Sequence, residues 1–465
     1  MALIFLAYPM AVVLNLLPHK NLKHLFSFLG GLFMCQWLFG ADWIHAAVSS
    51  VVTYLLCLLI PGKHMPIIVF IWAMGYMTVS HAYRMYVSYH SGVFDYTGTQ
   101  MVLTMKLTSF AYNLYDGTTD KEKVFNTEYS DKRLTRMYSD RRKFAINGLP
   151  NPLEFLGYIF CFTCLMAGPA FEYSDYATVI DGTAFKKNPK DKHPTVPSSF
   201  FPGLKILLIA LCCIALHLKL SEYVSSSQLY QLEWIAVTPW YWRVPYFWMT
   251  ELMERQKYYF VWKAAEGASV MAGFGFEGYD AAGEIKGWGG VENCDILGVE
   301  FAPNLQSMVR SWNKRTQGWL ERYTYCRLGN SLVATYFVSA LWHGLYPGYF
   351  MFFLSVPILT SIERLVRVKI NPRIIPGYNG RDFETAPNTL LTKLYWIVCA
   401  IGTSLGLNYI AQIFAQQVQT GERAMIVWGS YYHIPHLAFI LIYVILTMVP
   451  TPRGDKKSDD AKKKK

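Results

Sequence analysis

The stretch ALWHGLYPGY, Ala340–Tyr349, closes an apolar run that begins at Ser331. The run is long enough to enter a bilayer, where a titratable imidazole such as His343 is costly unless protein buries it or it lines a wet cavity. Gly344 and Pro347 then loosen the helix and free backbone groups that protein or water must satisfy. The pattern predicts that His343 faces a cavity, while a helix histidine bonded to a neighbouring carbonyl stays an open alternative.

The composition is that of a membrane protein. The chain has 465 residues, of which 53% are hydrophobic and 16% aromatic, and its mean hydropathy is +0.19. These values predict an all-α polytopic membrane protein, with one multi-helix domain over residues 1–449. We expect roughly ten to twelve membrane segments, drawn from Leu3–Leu17, Leu25–Gly40, Trp43–Ile60, Met65–Tyr89, Leu153–Phe171, Phe201–Val224, Trp240–Met253, Tyr258–Phe276, Ser331–Tyr346, Tyr349–Leu365, Leu390–Phe414 and His436–Val449.

The net charge of +11 lies mainly between these segments and in the tail. Basic loops favour the cytosolic side of a membrane and can meet anionic headgroups or phosphates. No DNA-binding module surrounds them, so a nucleic-acid role is not indicated. The tail, residues 450–465, is predicted to be disordered, and the stretch Asp116–Asn151 to be a surface connection with one short amphipathic helix. Cys161 and Cys164 lie in an apolar run without a second pair, which indicates packing and no metal site.

The second informative stretch is WNKRTQGWL, Trp312–Leu320, within the basic segment Arg310–Arg327. If this segment is helical, Trp312 and Trp319 share a face at i,i+7, as in a helix at the membrane boundary with basic side chains turned outward. Asn313 would then lie beside the apolar face. An interfacial helix in which Asn313 only caps or bonds locally is the alternative.

Asn313 and His343 could together catalyse acyl transfer if they converge on one cavity. A neutral imidazole can take the proton of an attacking hydroxyl, and an amide can donate a hydrogen bond to the oxygen that becomes negative. Direct transfer from a thioester to a hydroxyl needs no covalent acyl-enzyme, which suits a site without an obvious nucleophile.

Several motifs across most of the chain resemble the membrane-bound O-acyltransferase family, in its lysophospholipid acyltransferase branch. Within that branch the sequence is most similar to plant and algal lysophosphatidylcholine acyltransferases. The resemblance is carried by Trp312-Asn313 with Trp319-Leu320, Ser339–Gly344, Tyr346–Tyr349, Met101–Lys106, Asn113–Gly117, Glu154–Tyr158, Ala167–Pro169 with Glu172 and Tyr176, Asp295–Glu300, Arg255–Tyr259 with Trp262, and Gly273–Phe276.

The resemblance implies a fold with an internal reaction chamber and an enzyme of the endoplasmic reticulum membrane. Its substrates would be acyl-CoA and a lysophospholipid, with lysophosphatidylcholine, acylated at its sn-2 hydroxyl, as the expected acceptor. No cofactor is expected, and the tail, which ends in Lys462–Lys465, would be cytosolic. His343 and Asn313 are the implied catalytic residues, and the predicted substrate contacts are Trp312, Trp342, Arg310, Lys314, Arg315, Tyr346 and Tyr349.

Three points stay open at this stage. A transporter or channel could place His343 in a proton or substrate path. A transferase of the same family could act on another acceptor, since the motifs do not decide the headgroup. The sequence gives no information on the oligomeric state.

Overall fold

The architecture is helical. The structure, a computed structural model, describes residues 2–89, 95–128, 132–188, 190, 194–376, 378 and 385–452. Apart from an isolated antiparallel bridge between Tyr279 and Ile285, these residues form helices and the loops between them. The first twelve helices are α1 Ala2–Leu16, α2 Lys20–Phe39, α3 Trp43–Leu59, α4 Met65–Val87, α5 Thr97–Gly117, α6 Lys121–Asn126, α7 Lys132–Phe144, α8 Pro152–Ile159, α9 Tyr173–Ile180, α10 Phe200–Leu220, α11 Leu232–Val237 and α12 Trp240–Met271.

Nine further α-helices complete the described chain. They are α13 Ile296–Glu300, α14 Leu305–Ser311, α15 Lys314–Trp319, α16 Leu332–His343, α17 Pro347–Leu365, α18 Asn371–Ile374, α19 Leu390–Ala411, α20 Gly421–Gly429 and α21 Ile434–Met448. π-Helical turns at Leu320–Tyr325 and Val366–Ile370 follow α15 and α17 directly.

The chain divides into two compact units. The first unit comprises Met1–Leu218, Arg255–Cys294 and Asn313–Leu345, and the second comprises Lys219–Glu254, Asp295–Trp312 and Tyr346–Lys465. The expectation of a single domain over residues 1–449 stays a prediction beside this division. Most of the predicted disordered tail, residues 453–465, lies outside the described residues.

Five helical stretches of the described chain are long and apolar enough to cross a membrane: Lys20–Leu59, Gly62–Val87, Phe200–Leu220, Pro347–Ile374 and Leu390–Phe414. A sixth is possible if α20 and α21, which meet at 74°, form one broken span. The number is smaller than the ten to twelve predicted segments because several of those are short or are not single helices. α16, for example, has 12 residues and is about 18 Å long, against about 30 Å of hydrocarbon.

Three predicted segments were wrong in their details. Leu153–Phe171 is not a spanning helix, because α8 ends at Ile159 and residues 160–165 continue as a buried, non-helical turn inside the first unit. Trp240–Met253 and Tyr258–Phe276 are not two segments, because both fall largely in the continuous 32-residue helix α12. An apolar run alone does not distinguish a protein core from a bilayer as its surroundings.

The core of the first unit forms around α5. Eighteen of the 21 residues of α5 are buried, including Lys106, Asn113 and Asp116. Phe110 of α5 packs its ring against Phe155 of α8, with centroids 4.9 Å apart. α5 is thus an internal helix with polar and charged side chains, and hydropathy did not mark it as a segment.

The stretch Asp116–Asn151 is more ordered than a surface connection. It forms two helices, α6 and α7, so the prediction of one short helix was wrong. Arg141 of α7 is largely buried, since its side chain is only 11% exposed and pairs with Asp116. Arg141, which the sequence places in a solvent-exposed connection, therefore forms an ion pair inside the protein.

The second unit has its own polar contacts. Arg243 of α12 is buried and donates to the carbonyl oxygen of Ser430, which follows α20, at 2.6 Å. Trp248 Nε1 donates to Ser404 Oγ of α19 at 2.9 Å. These two hydrogen bonds join α12 to α19 and to the end of α20 within the second unit.

A glycine allows the close approach of α2 to the turn after α8. A Cβ at Gly31 would lie 1.7 Å from the carbonyl oxygen of Phe160, whereas one at Gly75 in α4 would meet no atom within 4 Å.

We expect Gly31→Ala to destabilise the protein by about 1–3 kcal/mol or more through overpacking. Gly75→Ala is the matched control and should be neutral or stabilising by about 0.5–1 kcal/mol. Thermal unfolding in detergent measures both, and equal midpoints for the two variants would contradict this packing.

Candidate active site

His343 is the last residue of α16. Ser331 caps the start of this helix by accepting a hydrogen bond from the N–H of Ala334 at 3.2 Å. Gly344 ends it with φ 137° and ψ −173°, a conformation open to glycine, and Pro347 begins the next helix. The prediction that these residues break the helix beside His343 is confirmed. His343 is half-buried, and its ring lies 4.7 Å from that of Trp342, edge to face.

A second histidine holds the end of α16 in place. His81 of α4 is buried and donates from Nε2 to the carbonyl oxygen of Trp342 at 3.1 Å. Trp342 Nε1 donates in turn to the carbonyl oxygen of Met101 in α5 at 3.0 Å. Sequence analysis missed His81, although a histidine within the apolar stretch Met65–Tyr89 was the available signal.

Asn313 lies at a sharp break and not within a helix. α14 ends at Ser311, Trp312 is extended, and Asn313 has left-handed backbone angles, φ 44° and ψ 50°, before α15 begins at Lys314. The predicted helical face shared by Trp312 and Trp319 was therefore wrong. Asparagine is one of the few residues with a side chain that tolerate this conformation, so the residue permits the break without determining it.

The helices that carry the pair both rest on α5. Trp319 of α15 donates from Nε1 to Thr108 Oγ1 at 2.8 Å, and α16 is bound to α5 through Trp342. The ring centroids of Trp319 and Trp342 lie 6.1 Å apart. Asn313 precedes Trp319 by six residues. At the rise per residue of an α-helix, this separation corresponds to about 9 Å along the helix axis. The structure thus links Asn313 and His343 through their helices within one unit, and their meeting in one cavity stays a prediction.

The predicted substrate contacts fall into two groups. Trp342, Lys314 and Arg315 belong to the first unit, together with Asn313 and His343. Lys314 forms an ion pair with Glu292. The indole N–H of Trp342 donates a hydrogen bond to the carbonyl oxygen of Met101. A role for these three side chains in binding substrate stays a prediction.

The other four predicted contacts belong to the second unit and are Arg310, Trp312, Tyr346 and Tyr349. Arg310 is exposed in the last turn of α14, and Tyr346 is buried. Tyr349 packs against Phe414, with ring centroids 5.0 Å apart. Their contact with substrate is likewise still a prediction.

A buried polar network that sequence analysis did not find lies beside α15. Glu172 is 5% exposed and accepts hydrogen bonds from Arg322 and from Asn113, both at 2.8 Å. Tyr323 donates to Asn113 Oδ1 at 2.8 Å. Burial and then the Glu172 charge raise the pKa of Tyr323, so its phenol stays protonated as a donor. The network fixes the π-helical turn Leu320–Tyr325 against α5.

A second ion cluster continues this network. Asp116, which is fully buried in α5, pairs with Arg141 at 2.5 Å and with Arg327 at 2.6 Å. Burial alone would lower the pKa of Arg141, but its bonds to Asp116 and Asp120 raise it overall. Two arginines around one carboxylate satisfy a charge that would otherwise be costly to bury. Several cations of the basic segment Arg310–Arg327 are therefore structural.

Comparison with known proteins finds one matching family and several named relatives. The model of the membrane-bound O-acyltransferase family matches residues 82–412, which include Asn313 and His343. A lysophospholipid acyltransferase of Schizosaccharomyces pombe is 30% identical, over 97% of this chain and 86% of that protein. Lysophospholipid acyltransferase 1 of Arabidopsis thaliana is 28% identical, over 97% and 94%. Membrane-bound glycerophospholipid O-acyltransferase 2 of Homo sapiens is 29% identical, over 93% and 80%.

The Glu172 network should contribute measurably to stability. Glu172→Gln leaves Arg322 without its charge partner, and we expect a loss of about 3 kcal/mol, the lower end for a buried pair, since the Arg322 side chain is 24% exposed. The control is Glu321→Gln, which removes an exposed ion pair. Glu321 lies 3.7 Å from Arg136, and the side chains are 44% and 68% exposed, respectively. The control should lose less than about 1 kcal/mol. Chemical unfolding in detergent compares them, and equal losses would contradict the assigned difference in burial.

Proposed function

The chain belongs to the membrane-bound O-acyltransferase family, and we propose that it transfers a fatty acyl group from acyl-CoA to the free hydroxyl of a lysophospholipid. The names of its relatives support this substrate class, since they denote lysophospholipid or glycerophospholipid acylation. Lysophosphatidylcholine, acylated at the sn-2 hydroxyl, is the acceptor we propose first. The enzyme would work in the endoplasmic reticulum membrane with its C-terminal tail in the cytosol.

His343 acts as the general base in this proposal. It accepts the proton of the lysophospholipid hydroxyl as the hydroxyl oxygen forms a bond to the thioester carbonyl carbon. The tetrahedral intermediate then collapses, the carbon–sulfur bond breaks, and the CoA sulfur leaves with the proton that His343 returns. The acyl group passes directly from sulfur to oxygen without an acyl-enzyme.

Asn313 stabilises the oxyanion in the same step. Its side-chain N–H groups can donate to the carbonyl oxygen as that oxygen gains negative charge. The observation that carries this role is that the Asn313 side chain does not cap α15, although it stands at a helix start where asparagine normally caps. A polar side chain left available at this position can serve a substrate.

The substrate class is tested by a matrix of acyl-CoAs against lysophospholipids with different headgroups. Purified full-length protein should release free CoA and form a diacyl product of the expected mass with at least one lysophospholipid. Transport of an acceptor without any such product would favour a transporter. Product only with an acceptor outside this lipid class would reassign the substrate within the family.

The general base is tested by His343→Ala. We expect kcat to fall by about 10²–10⁴-fold, because general-base assistance is typically worth that factor. CoA release from oleoyl-CoA with lysophosphatidylcholine measures the effect, with thermal unfolding as the check on folding. Normal turnover in a folded His343→Ala protein would rule out the assignment.

The oxyanion role is tested by Asn313→Ala and Asn313→Asp. Loss of one pre-aimed donor should lower kcat by about 10²–10³-fold with little change in KM. The aspartate should be no better, since its charge would repel the developing oxyanion although its size is preserved. Near-normal kcat in both variants would show that Asn313 is structural only.

A further inference from the structure

The start of α15 is capped by a residue from another part of the chain. An asparagine before a helix ordinarily accepts a hydrogen bond from the second or third helical N–H through its side-chain oxygen. Asn313 occupies that position in a left-handed conformation, and its side chain makes no such bond. The first backbone donors of α15 therefore need a different acceptor, since a helix cannot satisfy them internally.

Asn293 supplies both acceptors. Its carbonyl oxygen accepts from the N–H of Lys314 at 2.7 Å, and its side-chain Oδ1 accepts from the N–H of Arg315 at 3.2 Å. Lys314 and Arg315 are the first two residues of α15. Asn293 thus takes over the capping that would otherwise fall to Asn313.

Asn293 is in turn held by a buried ion pair of α12. Asn293 is 3% exposed, and its N–H donates to Glu266 Oε2 at 3.1 Å. Both oxygens of Glu266 accept from Lys263 Nζ, at 2.9 and 3.1 Å. Glu266 and Lys263 are also buried, so the cap rests on an ion pair in the interior of the same unit.

The neighbouring residue strengthens this attachment. Glu292 lies 3.5 Å from Lys263 through one carboxylate oxygen and pairs with Lys314 through the other. Adjacent residues therefore bind Lys314 twice, Asn293 through its backbone and Glu292 through its side chain. Two independent contacts fix the residue that directly follows Asn313.

We propose that Asn293 is a positioning residue for acyl transfer, because it caps α15 and leaves the Asn313 carboxamide available to the thioester carbonyl oxygen. This inference rests on the function proposed above. Without the Asn293 side chain, the N–H of Arg315 lacks its acceptor, and the Asn313 oxygen can turn toward it as an ordinary cap. The carboxamide would then point away from the substrate.

The test measures kcat and KM for Asn293→Ala, Asn313→Ala and the double variant, in full-length protein with oleoyl-CoA and lysophosphatidylcholine. Asn293→Ala should lower kcat by about 10- to 100-fold, since misplacing a reacting group by about 1 Å can cost about 100-fold. KM should change little. The double variant should be no slower than Asn313→Ala, because Asn293 acts through Asn313. A double variant slowed by the full product of the two single effects would overturn the proposal.

Asn151→Ala is the matched control. It also removes an asparagine oxygen that accepts from a helix N–H, here Glu154 at the start of α8 at 3.0 Å, and its kcat should stay at the wild-type value. An Asn151→Ala protein as slow as Asn293→Ala would mean that loss of any cap has this effect, which overturns the proposal.

Asn293→Ser covers the case in which Asn293→Ala does not fold, because it keeps a neutral oxygen that can accept from a helix N–H. A folded Asn293→Ser protein should retain kcat within a few-fold, and one as slow as Asn313→Ala would overturn the proposal. Wild-type kcat in Asn313→Ala would overturn this proposal together with the oxyanion role. Wild-type kcat in Asn293→Ala alone would overturn only this one.

Discussion

The burial of a polar helix is the constraint on which the first unit depends. α5 carries Lys106, Asn113 and Asp116 into the protein interior, where each unpartnered charge or amide would be costly. Each has partners from other helices or loops, and Lys106 donates to the carbonyl oxygen of Ile159 at 3.1 Å and to Cys164 Sγ at 3.3 Å. Satisfying α5 therefore assembles the surrounding elements around it.

The candidate site follows from this arrangement. Thr108 and Met101 of α5 bind Trp319 and Trp342, so the helices next to Asn313 and His343 are attached to the same buried element. The left-handed turn at Asn313 is fixed from the other side by Asn293. Attachment to α5 on one side and to the loop residue Asn293 on the other is the support that a preorganised donor and base require, since small displacements of reacting groups are costly.

Sequence reasoning succeeded where one residue dictates its own backbone. Gly344 and Pro347 located the end of α16 because their conformational limits are local. It failed at Asn313, whose left-handed angles interrupt what the i,i+7 tryptophans suggested as one helix. It named Glu172 and Asp116 as motif residues but did not find their ion pairs, because the arginines that neutralise them lie far along the chain. Long-range pairing of charges leaves no periodic signal in a sequence.

The central claim is that Asn313 and His343 act on one thioester. The most direct test is a structure of the protein with lysophosphatidylcholine and an acyl-CoA analogue in which a methylene replaces the thioester sulfur. The account predicts a His343 ring nitrogen within about 2.6–3.2 Å of the acceptor hydroxyl and the Asn313 side-chain nitrogen within about 2.7–3.1 Å of the analogue carbonyl oxygen. A bound complex in which either side chain contacts neither group would contradict it.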